Sequence, residues 1–568
     1  MRHFQARIQD MQFVLSNVLS ATDQLQKLAL FSEIDDDLVL QVLDESAKFV
    51  VEVIAPLNRN GDEIGAQWKD GKVTMPPGFQ AAYQMFWQAG WPALSTAPED
   101  GGQGLPCVLE IMLYEMLSGA NHGWTMAPGL LHGAYECIKH YASPSLQETY
   151  LRKVGTGEWL ATMCLTEPHA GSDLGLARTK ATPQENGNYA LNGTKIFISG
   201  GEHDLTENIV HLVLARLPDA PAGPKGLSLF LVPKFYPNGQ RSAVHCDRIE
   251  EKMGLHGSPT CVLRFDDALA EIIGEPGKGL NAMFVMMNAA RLHVAMQGIG
   301  LLDAAWQIAD AYAKERRQMR SPVGKDHKVK SVSEADFIIE HPAIRRILDT
   351  QRAWVDGGRV LAYQTAIELD RIKHADPETA AKSQRWCALV TPVMKAALTH
   401  QAFHGGSDCL QVLGGHGYVR EWGIEQIVRD ARVAMIYEGT NEIQAIDLLV
   451  RKIMADGGLS LNQLLDDMKA EKGSESEQAT QLRSLTDIIL TASKQDASVG
   501  HRVADDYLRA MALVMLQWAW HLIESKLTDN MHEVKERWHS PARAFQQWVL
   551  PEFAMRSHII ETQCEAVP

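Results

Sequence analysis

No two of the eight cysteines in this chain are separated by two residues; they stand at 107, 137, 164, 246, 261, 387, 409 and 564. Neither a zinc ribbon nor a disulfide framework has that spacing, so reduced thiols are expected. The histidine pattern of a metalloprotease is missing too. His400 and His404 sit i,i+4, but His400-Gln401-Ala402-Phe403-His404 lacks the carboxylate of a zincin helix. They read as surface or packing histidines, and no metal is expected. No Gly-x-Ser-x-Gly elbow offers a serine nucleophile. No window approaches the roughly 20 apolar residues of a membrane span, and the first residues lack a signal peptide's apolar run. A soluble cytoplasmic protein is the expectation. Positive charge is also short: the net charge is −16, and residues 455–568 hold 11 Lys+Arg against 17 Asp+Glu. A nucleic-acid contact face needs the opposite balance. Gly277-Lys278-Gly279-Leu280-Asn281-Ala282 formally fits GxGxxA, but a long helical region follows with no second parallel strand, which argues against a nicotinamide-binding Rossmann unit.

What is present is texture that changes along the chain. At 568 residues several domains are expected. Residues 1 to about 155 read as helix. Asp35-Asp36-Asp37 suits a helix N-terminus ahead of Leu38–Leu43, and Pro98–Pro106 is a cluster of turn formers. A Met- and Leu-rich segment, Val108–Leu131, predicts one or two buried helices. From about 160 to 280 short β-branched runs alternate with turns, among them Tyr189–Leu191 and Lys195–Ile198 after the hairpin signal Glu185–Asn188. Long helices return over Ala282–Arg316, Ala343–Leu369, Glu378–Leu410 and Glu442–Met454, with a polar, basic surface loop at Ser321–Lys330. After the turn at Asp456-Gly457-Gly458 the chain is helical again, with an apolar helix around Ala510–Ile523. The fold class is mainly α with an inserted antiparallel β domain. The divisions are a helical extension at 1–34, an α domain at 35–158, a β domain at 159–280, a four-helix bundle at 281–455 and a further helical domain at 456–568.

The chemistry points first to Ile436-Tyr437-Glu438-Gly439-Thr440-Asn441-Glu442-Ile443-Gln444. It reads as a loop entering a helix, with Asn441 as the capping side chain and Gln444 placed as its capping-box partner. Glu438 precedes the cap, beside a glycine that lets the backbone approach a ligand. A carboxylate buried after Val433–Ile436 would have the raised pKa of a general base. Thr166–Asp173, at the entry to the β domain, offers hydroxyl and backbone N–H donors suited to a heteroaromatic ring or phosphate.

Taken together, Cys164–Asp173, Gly193–Ser199, Gln411–Tyr418 and Tyr437–Gln444 resemble, in order, the signature segments of acyl-CoA dehydrogenases over about 35–455. The wider text is similar to the extended bacterial subgroup that includes 3-methylmercaptopropionyl-CoA dehydrogenases, through Asp10–Leu15, Gly200–Asp204, Lys252–Ser258 and Met286–Arg291. The resemblance implies FAD as cofactor and an acyl-CoA thioester oxidised to a trans-2-enoyl-CoA, as in fatty-acid β-oxidation, with electrons leaving to electron-transfer flavoprotein. Glu438 would remove the α-proton, and the β-hydrogen would leave as hydride to flavin N5. The Glu438 N–H and a ribityl hydroxyl would polarise the thioester carbonyl. Leu165, Thr166, Phe197 and Ser199 would hold the isoalloxazine, and Gly171 and Ser172 would lie along the flavin phosphates and the pantetheine arm. Arg316, Gln411 and Gly415 would reach a neighbouring subunit's FAD, and Thr440 and Asn441 would close on the cofactor. Arg291 would lie near the CoA arm and orient the loop bearing Glu438, Gly439 would contact the substrate, and Trp124, Met126 and Leu130 would be walls for the acyl tail.

Three departures from the family pattern stand out. Phe197 occupies a frequent Trp position, Met163 a frequent Tyr position, and Arg316 is followed by Arg317-Gln318-Met319-Arg320 in place of an aromatic-glycine pair. Two alternatives share the scaffold: an acyl-CoA oxidase using O2, and a DNA-associated flavoprotein, against which the acidic 455–568 region speaks. The extension beyond Met454 carries Ala510–Trp520, too apolar to be left in water. It is expected to cover the bundle face that tetramers bury, leaving a homodimer.

Overall fold

The computed structural model describes residues 4–185, 187–322, 335–472, 475–527 and 532–566. Most of the basic loop anticipated at 321–330 lies outside the described residues, as do Asn186 of the hairpin turn and residues 473 and 474 of the polar joint. The chain forms two bodies, residues 46–293 and residues 1–45 with 294–568.

In the first body the expected Met/Leu segment is α1 (Cys107–Thr125) and α2 (Leu131–Tyr141), joined by a 3-10 turn at Pro128–Leu130. Nearly every α1 side chain is buried, which is why its sequence has no polar face. A kink falls at Asn121 (φ −160°), whose side-chain oxygen accepts from Trp124 N at 3.1 Å and replaces a lost helical acceptor. Before these helices lies a small ribbon, β1 (Gln67–Lys69) with β2 (Lys72–Thr74). After them comes a seven-stranded sheet of β3 (Leu160–Cys164), β4 (Lys180–Pro183), β5 (Tyr189–Ser199), β6 (Ile209–Arg216), β7 (Leu227–Pro233), β8 (Val244–Ile249) and β9 (Thr260–Ile273). Its order is β3-β6-β4-β5-β9-β7, with β8 on β9, and β6 also pairs β7, so five strands close on themselves. Pairing is antiparallel except β3–β6 and β4–β6. The β4–β5 hairpin forms where the turn signal placed it. Closure buries both faces of β6 and β7, and both are accordingly apolar along nearly their whole length, the exceptions being His211 and Arg216 in β6 and Ser228 in β7. Gly277 follows β9, an antiparallel strand, so no Rossmann crossover exists there.

α3 (Gly279–Glu315) supplies its first turns to the first body and the rest to the second. The second body continues with α4 (Pro342–His374) and α5 (Pro377–Val412), the latter capped by Asp376, which accepts from Glu378 N and Thr379 N at 3.1 Å. Next come the short α6 (Asn441–Ile446), α7 (Leu459–Lys472), α8 (Glu477–Ala492), α9 (Val499–Ser525), α10 (His532–Ala544) and α11 (Glu552–Glu565). α9 carries the apolar segment singled out in the sequence. It packs on α4, α5 and α6: Trp520 Nε1 donates to Ala353 O at 3.1 Å, and Trp518 meets Trp386 at 5.4 Å between ring centroids. The apolar helix therefore rests on the helical core of its own chain.

Buried charge binds both chain extensions to that core. Arg352 on α4 is paired with Asp303 on α3 and with Asp356 one turn on, at 2.6 Å. Arg537 on α10 reaches Asp356 at 2.9 Å and Asp10 of the N-terminal segment at 3.0 Å. All eight cysteines are free thiols, and no cluster of metal-ligating side chains occurs among the described residues. No helix among them is long and apolar enough to cross a membrane.

Candidate active site

In the first body β3 ends at Cys164 and the chain turns into Leu165–Asp173 beside a defect in β5. The β5–β9 register shifts between Lys195 and Ile198, leaving Ile196 and Phe197 outside the ladder. Ile196 N instead donates to Thr166 O at 2.9 Å, which ties the two segments together. Phe197 lies in the left-handed region (φ 60°), and the residue is 60% exposed at the bulge. A strained, exposed aromatic on a rigid strand is a stacking surface for a planar ligand.

Lys195 points the other way and is fully buried. It donates to Leu165 O at 3.0 Å and to the Glu167 carboxylate at 2.8 Å. Glu167 also accepts from Arg178 N, Thr179 N and the Thr179 hydroxyl. Burial by itself would raise the Glu167 pKa; the Lys195 ammonium and these donors outweigh it and hold the carboxyl at about 2. The pair is thus an internal brace under Leu165 and Thr166. Gly171 and Ser172 are exposed, with open space where a Cβ on Gly171 would stand, and Ser199 is half-buried at the strand end.

The anticipated acyl walls divide. Trp124 belongs to an aromatic core with Phe86 and Tyr83, its Nε1 bonded to Phe79 O at 3.3 Å, while Met126 is buried and Leu130 half-buried. Beneath 126–130 lies a polar cluster absent from the sequence-based expectations. Glu110 on α1, 1% exposed, meets His132 Nδ1 at 3.2 Å and His293 Nε2 at 3.3 Å, with the Ser95 hydroxyl on the same carboxylate. Burial pushes the Glu110 carboxyl up, but the two histidines prevail and hold it well below its ordinary value. His293 Nδ1 meets Gly129 O at 3.3 Å and Tyr114 donates to Pro128 O at 2.8 Å, so the cluster underlies the 128–129 backbone. Arg291, also largely buried, donates to Asn288 at 3.2 Å.

In the second body Arg432–Met435 forms a 3-10 turn, and the Tyr437 hydroxyl bonds the Gln297 side chain on α3. Glu438 (φ 57°) and Gly439 (φ 81°) are both left-handed. Thr440, not Asn441, caps α6: its hydroxyl accepts from Ile443 N at 3.3 Å. Asn441 is already helical, and its amide turns back to α5, where it accepts from Lys395 at 3.0 Å and donates to Ala396 O at 3.1 Å. Gln444 forms no capping box either; its amide donates to Glu438 O at 2.9 Å. The tertiary partner on α5 outcompetes the local cap. Since the Asn441 side chain is engaged with α5, only its backbone remains for a ligand.

Gln411, Gly414 and Gly415 at the end of α5 are exposed, as is Arg316 after α3, and open space surrounds Gly414 and Gly415. Tyr418, 86% exposed, stands beside them. His416 stacks on Trp422 at 4.7 Å and keeps this corner rigid. The sequence reading missed Lys195, Glu167, Glu110, Lys395 and Gln297. A signal existed for Lys395, a lone charge within Val393-Met394-Lys395-Ala396-Ala397-Leu398.

Comparison with known proteins places these parts. The acyl-CoA dehydrogenase N-terminal, middle and C-terminal domain descriptions match residues 39–158, 162–268 and 330–453. The 3-methylmercaptopropionyl-CoA dehydrogenase of Ruegeria pomeroyi is 42% identical over 475 residues, 83% of this chain and 80% of that one. The broad-specificity linear acyl-CoA dehydrogenase FadE5 of Mycobacterium tuberculosis is 32% identical, covering 89% of this chain and 86% of its own. Among solved structures, an acyl-CoA dehydrogenase of Bacillus anthracis superposes with a TM-score of 0.74 at 22% identity, over 97% of this chain and 92% of that one.

Proposed function

The chain belongs to the acyl-CoA dehydrogenase family, a family of oxidoreductases, and we propose that it oxidises a short acyl-CoA thioester to the trans-2-enoyl-CoA with Glu438 as the α-proton base. The observation that carries the reading is Glu438 itself, a carboxylate on a left-handed backbone whose carbonyl is held by Gln444. Backbone strain of this kind persists only where the surroundings impose it, and it gathers at functional sites.

FAD fits the first body's bulge and brace, and when bound it supplies the acceptor for the β-hydrogen as hydride. Phe197 offers its exposed ring to the isoalloxazine, with Leu165 and Thr166 held for it by Lys195 and with Ser199 beside it. Gly171 and Ser172 leave room for the phosphates and the pantetheine arm. The exposed Arg316, Gln411 and Gly415 are assigned to the cofactor of a second subunit, Thr440 and the Asn441 backbone to the same group, and Arg291 and Gly439 to the CoA end. Electron-transfer flavoprotein is the acceptor we assign, in a cytoplasmic enzyme.

The floor under 126–130 supports the short substrate class. A long apolar tail would have to displace the buried, mutually bonded Glu110, His132 and His293 and leave their polar groups without partners. The R. pomeroyi relative is named for a short thioether acyl group. Turnover over an acyl chain-length series with 3-methylmercaptopropionyl-CoA included is expected to peak at the short end, each surplus methylene reducing kcat/KM by roughly 10-fold or more. Best turnover of long-chain substrates would overturn the assignment.

For assembly we propose a two-fold homodimer, since α9 already covers α4 and α5. Light scattering of the intact protein should give twice 62.9 kDa. Ending the chain at Asp456 should yield larger oligomers or aggregates, because an apolar helical face is left in water. A tetramer of the intact chain would refute it.

A further inference from the structure

We propose that Lys395 is a positioning residue for the base, its ammonium clamping the Gly439 carbonyl and so keeping Glu438 in its left-handed conformation. The proposal rests on the reading of Glu438 as the base. Lys395 Nζ donates to Gly439 O at 2.7 Å and to Asn441 Oδ1 at 3.0 Å, and the side chain is fully buried. A buried ammonium is retained only where it is well hydrogen-bonded, and at least two of its three donors are spent on this loop.

The rest of the local network extends the clamp. The Thr399 hydroxyl, one turn along α5, donates to Lys395 O at 2.7 Å and accepts from Asn441 Nδ2 at 3.2 Å. Asn441 in turn holds Ala396 O. Gln444 secures the carbonyl one residue earlier, at Glu438. Successive carbonyls, those of residues 438 and 439, are therefore each fixed by a side-chain donor, one from α6 and one from α5. Fixing both orients the two peptide planes after Glu438 and leaves little freedom in the torsions on which its carboxylate direction depends. The clamp has something to oppose. A left-handed non-glycine residue is sterically disfavoured, because its Cβ crowds the following carbonyl oxygen, so a loop without its anchors relaxes toward ordinary torsions. Gly439 is required beside it, since a Cβ there would stand 2.8 Å from Gln444 Nε2 on a backbone of φ +81°. α5 itself is rigid and buried around Lys395, which makes it a fixed reference for a catalytic loop.

The test is Lys395→Met in the FAD-loaded enzyme, a change that keeps the length of the side chain and removes its donors. We expect kcat to fall by about 10- to 100-fold, the effect of misplacing a reacting group by about an ångström, with KM changed less than threefold and flavin content as in the parent. Amide hydrogen exchange over 436–446 should rise while α5 stays protected. Lys395→Arg, which restores a cationic donor, should recover part of both signals. If Lys395→Met does not fold, Gln444→Leu, which removes the companion clamp, must show the same kcat loss and the same local exchange. Parental kcat and exchange in the variant, or a fall in kcat accompanied by flavin loss and an equal rise in KM, would overturn the proposal. Glu438→Gln measured alongside separates the two readings. Were that variant active, the base assignment would fall, while the exchange data would still decide whether Lys395 holds the loop.

Discussion

Glu438→Gln should yield a yellow protein that binds acyl-CoA and does not bleach when it is added. The substitution is nearly isosteric, so the bond from Gln444 to the 438 carbonyl and the clamp on Gly439 remain available. What disappears is the group assigned to accept the α-proton. General bases contribute about 10²–10⁴ in rate, and the loss is expected to exceed that range, because hydride departure from the β-carbon requires the α-proton to leave. Rapid-mixing absorbance measures it directly. Near-parental bleaching by the variant would end the assignment, and an unbleached variant that had also lost its flavin would indicate misfolding.

The largest expected effect on stability lies away from the site, at Arg352→Met. Arg352 is 2% exposed in its side chain and neutralises Asp303 and Asp356, which are 4% and 0% exposed. Removing one partner of a buried network leaves uncompensated charge and costs about 3–5 kcal/mol. The loss should appear as a lower urea midpoint. It has a pH signature as well. Burial by itself pushes both aspartate carboxyls up, but Arg352 and its neighbours outweigh burial and hold them below the ordinary range. Their stabilisation is therefore fully present above the unfolded carboxyl pKa of about 3.9 and is lost as pH falls through the lower folded values. In the variant, acid unfolding should begin at a higher pH than in the parent. Parental urea and acid midpoints would show that the network contributes little.

Much of the molecule was legible before its structure. Val108–Leu131 announced buried helix because no polar face interrupts it, and the β4–β5 hairpin followed from its turn residues. Asp35 was readable as a helix start and accepts from Leu38 N at 2.8 Å. The apolar Ala510–Trp520 segment required a partner surface, and α9 lies against α4 and α5. These signals are local: periodicity, capping chemistry and turn propensity are written within a dozen residues.

Where the reading failed, the competing partner was distant. Asn441 has the chemistry of a cap, yet Lys395 and Ala396, 46 and 45 residues away, claim its amide, and Thr440 caps α6 instead. The aromatic core that Trp124 shares with Phe86 and Tyr83 was likewise unread, Trp124 lying about 40 residues beyond the other two. Glu110, His132 and His293 gave no sequence signal as a group, being 22 and 161 residues apart along the chain. By itself the sequence determined the family and the order of helical and β segments, and it nominated Glu438, because ordered motifs and local periodicity survive without coordinates. Only the tertiary structure decided which way Asn441 and Lys195 point, that a polar floor underlies 126–130, and that Glu438 is left-handed. Those outcomes depend on which remote donors and acceptors are desolvated together, and that is settled by packing.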